Sequence, residues 1–399
     1  MESYVLEWLN ILGRWVHLIT GIAWIGASFY FVWLDSHLKP PQPEDRASQD
    51  IGIGGEVWAV HGGGFYRAQK FKVAPPELPP VLHWFKWEAY STWLSGFFLL
   101  VLIYYVGAEV YLIDKAIADL SKPAAIGIGL GFLAGGWIVY DLLCRSRLGM
   151  NEPALAGVML VLLTGAAYAL THLFSGRGAF IHFGAILGTI MSANVLMVII
   201  PGQRELVRAK QEGRAPDPIH AVRGKQRSVH NTYFTLPVLL VMISNHYALL
   251  TNARWNWVVL MLLALAGALI RLFFVKKHQG SKQPWLVGAG CVAIVVVIAM
   301  LAPSPSTGGQ GKRVTFAEVQ SIVLARCAGC HAEQPTFAGF AAAPKNVLLD
   351  TPERIVTQAV TLHQQTVVTK AMPIGNLTAM TDAERAVIDA WFRAGASSK

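Results

Sequence analysis

The chain has 399 residues, 54% of them hydrophobic and only 14% charged, with a mean hydropathy of +0.43. That composition belongs to a membrane protein long enough for two or more domains, so the formal charge of +9 reports loop orientation rather than a nucleic-acid partner. Four cysteines, two of them inside one short motif, exclude a disulfide framework.

Met1 to Asn10 holds two glutamates and no Lys or Arg, so it lacks the basic start of a signal peptide. Runs long enough to cross a bilayer lie at about 9–34, 91–113, 124–143, 154–174, 180–200, 231–250, 255–275 and 284–302. The sequence therefore predicts eight spanning helices. The first, third, fifth and seventh loops carry 18 Lys and Arg, and the second, fourth and sixth only 4. Positive charge collects on the cytoplasmic side, which puts both termini outside. An internal repeat is also visible. Trp15-Val16-His17 in the first helix resembles Phe180-Ile181-His182 in the fifth, and Ser91-Thr92-Trp93 resembles Asn231-Thr232-Tyr233. Four helices separate the copies, which predicts two parallel four-helix repeats.

Ionisable side chains inside spanning helices are expensive and mark function. His17 and His182 fall near the outer ends of their helices, level with His172 and His246. They read as interfacial histidines satisfied by their neighbours, for His17 and His182 as ligands of a b-type haem held between facing helices, or, all four together, as an outer substrate site that would replace the cytoplasmic one. A second group lies toward the cytoplasmic side. Gly54 to Tyr66 reads as a β-hairpin with His61 at its tip, Arg67 follows, and His230 and Asn231 open the sixth helix, with Asn194 in the fifth. This group is a candidate catalytic pocket: His61, His230, Asn231 and Arg67 form its polar edge, and Trp58, Phe65 and Tyr233 its aromatic face.

Pro303 to Gly311 forms a Pro/Gly/Ser linker, so the chain divides into 1–302, a linker at 303–313 and a domain of soluble composition at 314–399. Thr381 and Glu384 form a capping box that opens a last helix with Trp391 on its apolar face. Within this domain, Cys327-Ala328-Gly329-Cys330-His331 has the spacing of c-type haem attachment. Two thiols one helical turn apart reach both vinyl groups of one porphyrin, and His331 presents its imidazole to the iron. A zinc site would need a second ligand pair, and Cys144 and Cys291 lie in apolar runs far upstream. Met372, held extended by Pro373, is the expected second iron ligand beside His331, with Met380 and His363 as rivals. The expected fold is all-α: an eight-helix membrane domain, then a small cytochrome c domain. Attachment of such a haem on the outer side of a bacterial membrane agrees with the orientation given by the loop charges.

The segments Arg14 to Gly26, Gly55 to Tyr66, His83 to Glu88, Val229 to Pro237 and Ile243 to Tyr247 resemble those of the membrane-bound, cytochrome c-fused urate oxidases, over essentially the whole chain. The resemblance implies oxidation of urate to 5-hydroxyisourate, with electrons passed to the fused haem c rather than to oxygen. It further implies a multi-pass protein of the bacterial inner membrane whose cytochrome domain is periplasmic, with a periplasmic cytochrome or terminal oxidase as acceptor. The first-helix stretch also looks like that of haem-bearing membrane oxidases of protoporphyrinogen-oxidase type, which favours His17 as a haem ligand. Two other classes compete: a non-catalytic cytochrome b/c module fed by quinol or a partner subunit, and a transporter with a regulatory cytochrome.

Overall fold

The computed structural model describes residues 2–302, 314–337 and 342–398; the expected linker lies outside them. The first part of the chain forms helices α1 (Glu2–His37), α2 (Trp87–Leu99), α3 (Lys122–Arg145), α4 (Glu152–Thr171), α5 (Gly176–Asn194), α6 (Ile200–Gln211), α7 (Pro218–Ser244), α8 (Asn256–His278) and α9 (Trp285–Met300). Local chemistry sets their starts. Ser121, Asn151, Ser175 and Asp217 cap α3, α4, α5 and α7, each side chain accepting a nearby backbone N–H. Proline stands in the first turn of α3, α4 and α7, where its missing N–H is no loss. Wider π-helical turns at Leu100–Val106 and Val195–Ile199 extend α2 and α5.

Among the described residues, six helical spans are long and apolar enough to cross a membrane: Tyr4–His37, Trp87–Val106, Lys122–Arg145, Glu152–Thr171, Gly176–Gln211 and Asn256–His278. The other two expected spans differ. α9 is apolar but has only 16 residues. The sixth, expected at 231–250, is α7, which starts at Pro218 and carries Arg223, Lys225 and Arg227 along its first half. Much of the basic fifth loop is therefore helix, as its Lys, Arg and Gln residues favour.

α5 is the central helix, packed on α2, α3, α4 and α7. Its approach to α7 needs glycine: a Cβ at Gly184 would stand 2.6 Å from Val241. α1 rests on α2 as α5 rests on α7, in keeping with the repeat. The later pairs differ, since α8 packs directly on α9 while α4 packs mainly on α5 and α8.

The odd loops meet on one side, where Lys225 reaches Asp35 at 3.8 Å, Gln226 donates to the Gly149 carbonyl at 2.6 Å and His37 meets the His278 ring. The first of these loops holds the expected hairpin, β1 (Ile53–His61) antiparallel to β2 (Gly64–Phe71). Gly62 and Gly63, both at positive φ, make its two-residue turn. The even loops gather on the opposite side, against the C-terminal domain. There α10 (Phe316–Arg326), α11 (Pro352–Thr357), α12 (Ala359–His363) and α13 (Asp382–Arg393) enclose a core that includes Val323, Leu349, Ile388 and Trp391. The expected capping box of α13 is closed in both directions.

Candidate functional site

Three polar centres stand out, and the first is the Cys327-Ala-Gly-Cys-His331 turn. It continues from α10, with the Cys330 and His331 amides both donating to the Cys327 carbonyl. His331 Nδ1 lies 2.9 Å from the Val347 carbonyl oxygen, so it carries the proton and Nε2 is left as the free electron pair. A histidine that binds iron needs that tautomer. Burial pushes the Cys327 thiol up to about 12 and raises that of Cys330, which is the reverse of a reactive thiolate pair. Among the described residues, no group of three or more His, Cys, Asp or Glu could hold a metal ion, so a zinc site finds no further ligands.

Met372 is half-buried, on a loop pinned by Arg385, whose Nη1 donates to the Met372 carbonyl at 2.9 Å. Its rivals are otherwise engaged. Met380 is packed into the domain core. His363 Nε2 bonds Asp389 at 2.8 Å and its ring stacks on Phe392. Burial works against the Asp389 carboxylate, but hydrogen bonds from Arg393 and His363 hold it below its usual range. The Cys327 and Cys330 thiols and the Nε2 of His331 are the donor set a covalent haem would use, and Met372 is the expected partner not committed to the core.

The second centre is a cavity of about 850 Å³ between the C-terminal domain and the even loops. One wall is the methionine loop, through Lys370, Pro373 and Gly375; the other holds Asp114, Tyr168, His172, Arg177, Arg254 and Trp257. Lys370 is paired with Asp382 at 2.7 Å and Arg385 is held by backbone carbonyls. Arg177 and Arg254 pair with no carboxylate among the described residues. Burial raises the Asp114 carboxyl above its ordinary range, against the Ala116 N–H it accepts. Two arginines against one carboxyl leave the positive balance a monoanion needs. His172 Nδ1 bonds the Tyr168 carbonyl at 2.7 Å and its ring lies over Tyr168 at 4.0 Å, with Trp257 edge-on to the same tyrosine. Apart from His172 and Pro373, none of these residues stands out in the sequence, because four separate segments supply them.

The third centre lies on the side of the odd loops and joins α3, α4, α5 and α7. His230 bonds the Tyr140 hydroxyl through Nδ1 and Glu152 through Nε2, both at 2.8 Å. Asn194 donates to Asn231 at 2.8 Å and to Tyr140 at 3.2 Å. Arg227 pairs with Asp141 at 2.8 Å over the Tyr140 ring. His230, Asn231 and Asn194 thus come together as expected of a pocket, but the hairpin does not join them. His61 is exposed at the tip of the turn, Trp58 and Phe65 are 61% and 81% exposed, and Arg67 is held by Asp45 and Glu56. The hairpin is tied to α1 and the segment after it, through Lys70–Asp35 and Lys39–Glu56. Asp141, a carboxylate inside an apolar run, was the sequence signal for this cluster's missing members.

His17 and His182 sit in different helix interfaces. His17 Nδ1 bonds the Thr92 carbonyl and Ser95 of α2. His182 is fully buried, with Nδ1 on the Gly178 carbonyl at 2.8 Å and Nε2 on the Tyr105 hydroxyl at 3.3 Å. A Cβ at Gly129 of α3 would stand 2.7 Å from that Nε2. This fits a packed, hydrogen-bonded histidine, not the facing ligand pair of a b-type haem.

No curated protein and no solved structure matches the chain. The sequence model described as "Urate oxidase N-terminal" matches residues 3–302, all of the helical N-terminal part. The chain belongs to the urate oxidase N-terminal family.

Proposed function

We propose that the chain oxidises urate in the cavity between its two domains and passes the electrons to a c-type haem bound in its own C-terminal domain. One observation carries this reading: the methionine loop is seated on the family's domain. Asn252 Nδ2 donates to the Lys370 carbonyl at 2.8 Å, and a Cβ at Gly375 would stand 3.0 Å from the Val110 carbonyl oxygen. Cys327, Cys330, His331 and Met372 would hold the haem, which supplies a one-electron acceptor when bound.

Urate near neutral pH is a planar monoanion. As the monoanion goes to neutral 5-hydroxyisourate, the oxygen of one water bonds to C5, and one proton and two electrons leave. Arg177 and Arg254 offer charge to the anion, and Tyr168 and Trp257 offer aromatic faces. His172 is suited to take a proton, because its Nδ1–H is committed to the Tyr168 carbonyl and Nε2 keeps its lone pair. This reading moves the substrate from the His61 and His230 side to the opposite one. The positive loops lie away from the C-terminal domain, which supports an inner-membrane protein with that domain in the periplasm, serving a periplasmic cytochrome or terminal oxidase.

Purified full-length protein mixed with urate without oxygen should reduce its own haem with no partner. If dithionite reduces that haem and urate does not, the chain is an electron-transfer module instead. Met372→Ala should remove the thioether–iron charge-transfer band while leaving the haem attached. A band that persists would move the ligand to Met380.

A further inference from the structure

A cation buried in a spanning helix needs compensation, and two arginines of the N-terminal domain meet that need differently. Arg227 is paired with Asp141, although its Nε, like that of Arg271, is buried without a hydrogen-bond partner. Arg271 of α8 is only 6% exposed; its Nε is buried without a hydrogen-bond partner, and no carboxylate pairs with it among the described residues. Its guanidinium lies over the Phe29 ring of α1, with Cζ 3.7 Å from the centroid. Nor does it reach out to water at the helix end. α8 runs on to Lys276, Lys277 and His278, about 10 Å further, and a side chain stretching there would have an exposed tip.

We propose that Arg271 anchors an anion-binding site at the junction of α1, α7 and α8, and that its ligand is a planar oxopurine monoanion such as urate. A guanidinium offers two parallel N–H groups, which match a carbonyl oxygen and an adjacent deprotonated ring nitrogen. Phe29 brings an aromatic face, and Tyr233 of α7 lies within electrostatic reach. One uncompensated charge balances a monoanion, whereas a phosphate dianion would need more cations. The cavity end of α8 starts at Asn256, about 22 Å from Arg271 along the axis, so this site is separate from the cavity. The ligand class rests on the urate reading; the site itself rests on Arg271.

Full-length holoprotein, with its haem kept reduced by ascorbate so that no turnover occurs, is titrated with urate by calorimetry. Wild type should bind two urates per chain, Arg271→Met one, and an Arg177→Ala/Arg254→Ala variant the other. An Arg271→Met protein that keeps every site of the wild type overturns the proposal. A single wild-type site, lost in Arg271→Met and kept in the double variant, supports Arg271 and overturns the cavity reading. If Arg271→Met does not fold, Arg271→Lys keeps the charge but not the paired donors. It should bind urate at the inner site at least about tenfold more weakly, and unchanged affinity overturns the proposal. Inorganic phosphate binding there as tightly as urate overturns the ligand class.

Discussion

Alanine at both Arg177 and Arg254 is expected to lower kcat/KM for urate about a hundredfold or more. A hydrogen bond to a charged group contributes about 1.5–3 kcal/mol, and each 1.36 kcal/mol is about tenfold in rate. Most of the loss should appear in KM, because the charge of urate is present before the reaction begins. The substitution should not harm the fold. Arg177 stands in the first turn of α5, where the positive end of the helix dipole opposes a cation, so its place there serves something other than stability. Thermal stability should stay level, and dithionite should reduce the haem as in wild type. Near-normal urate turnover would sink the cavity site and return the substrate to the His230 cluster.

What the sequence made legible was whatever short-range chemistry decides. The run expected at 124–143 is α3, Lys122–Arg145, because an apolar stretch bounded by a Ser cap and an Arg has no other stable form. The hairpin closes at His61 because Gly62-Gly63 permits the turn, and the α13 capping box lies within four residues of chain. The candidate site was only half legible. His230 and Asn231 announce themselves as polar residues opening a helix, but Tyr140 lies 90 positions from His230, and no local pattern says which helix face meets which. Placing His61 with them assumed that a glycine-rich hairpin folds onto the nearest helix end; Lys70–Asp35 and Lys39–Glu56 tie it to α1 and the segment after it instead. The cavity was least legible, since its walls come from loops whose only common property is the side on which they emerge.

Asp141→Ala is expected to destabilise the helical domain by about 3–5 kcal/mol, the cost of leaving one half of a buried ion pair without its partner. Arg227 is only 2% exposed, and without the Asp141 carboxylate it keeps 3.5 Å contacts to Asn194 Oδ1 and to the backbone carbonyl of residue 141, and the face of Tyr140, 4.8 Å from Cζ. None of these supplies the missing charge. Arg145 also bonds Asp141, at 2.6 Å, but is about half exposed, so losing that contact adds little. The loss should appear as a lower midpoint of thermal unfolding in detergent and as aggregation at temperatures the parent tolerates. The compensated variant Asp141→Leu/Arg227→Met removes both charges and should recover most of the stability, well above the sum of the single changes. That recovery separates an uncompensated charge from simple loss of packing between α3 and α7. A cost below about 1 kcal/mol for Asp141→Ala would put the pair in the class of weak surface contacts and leave the Tyr140–His230 and Asn194–Asn231 bonds as what holds those helices in register.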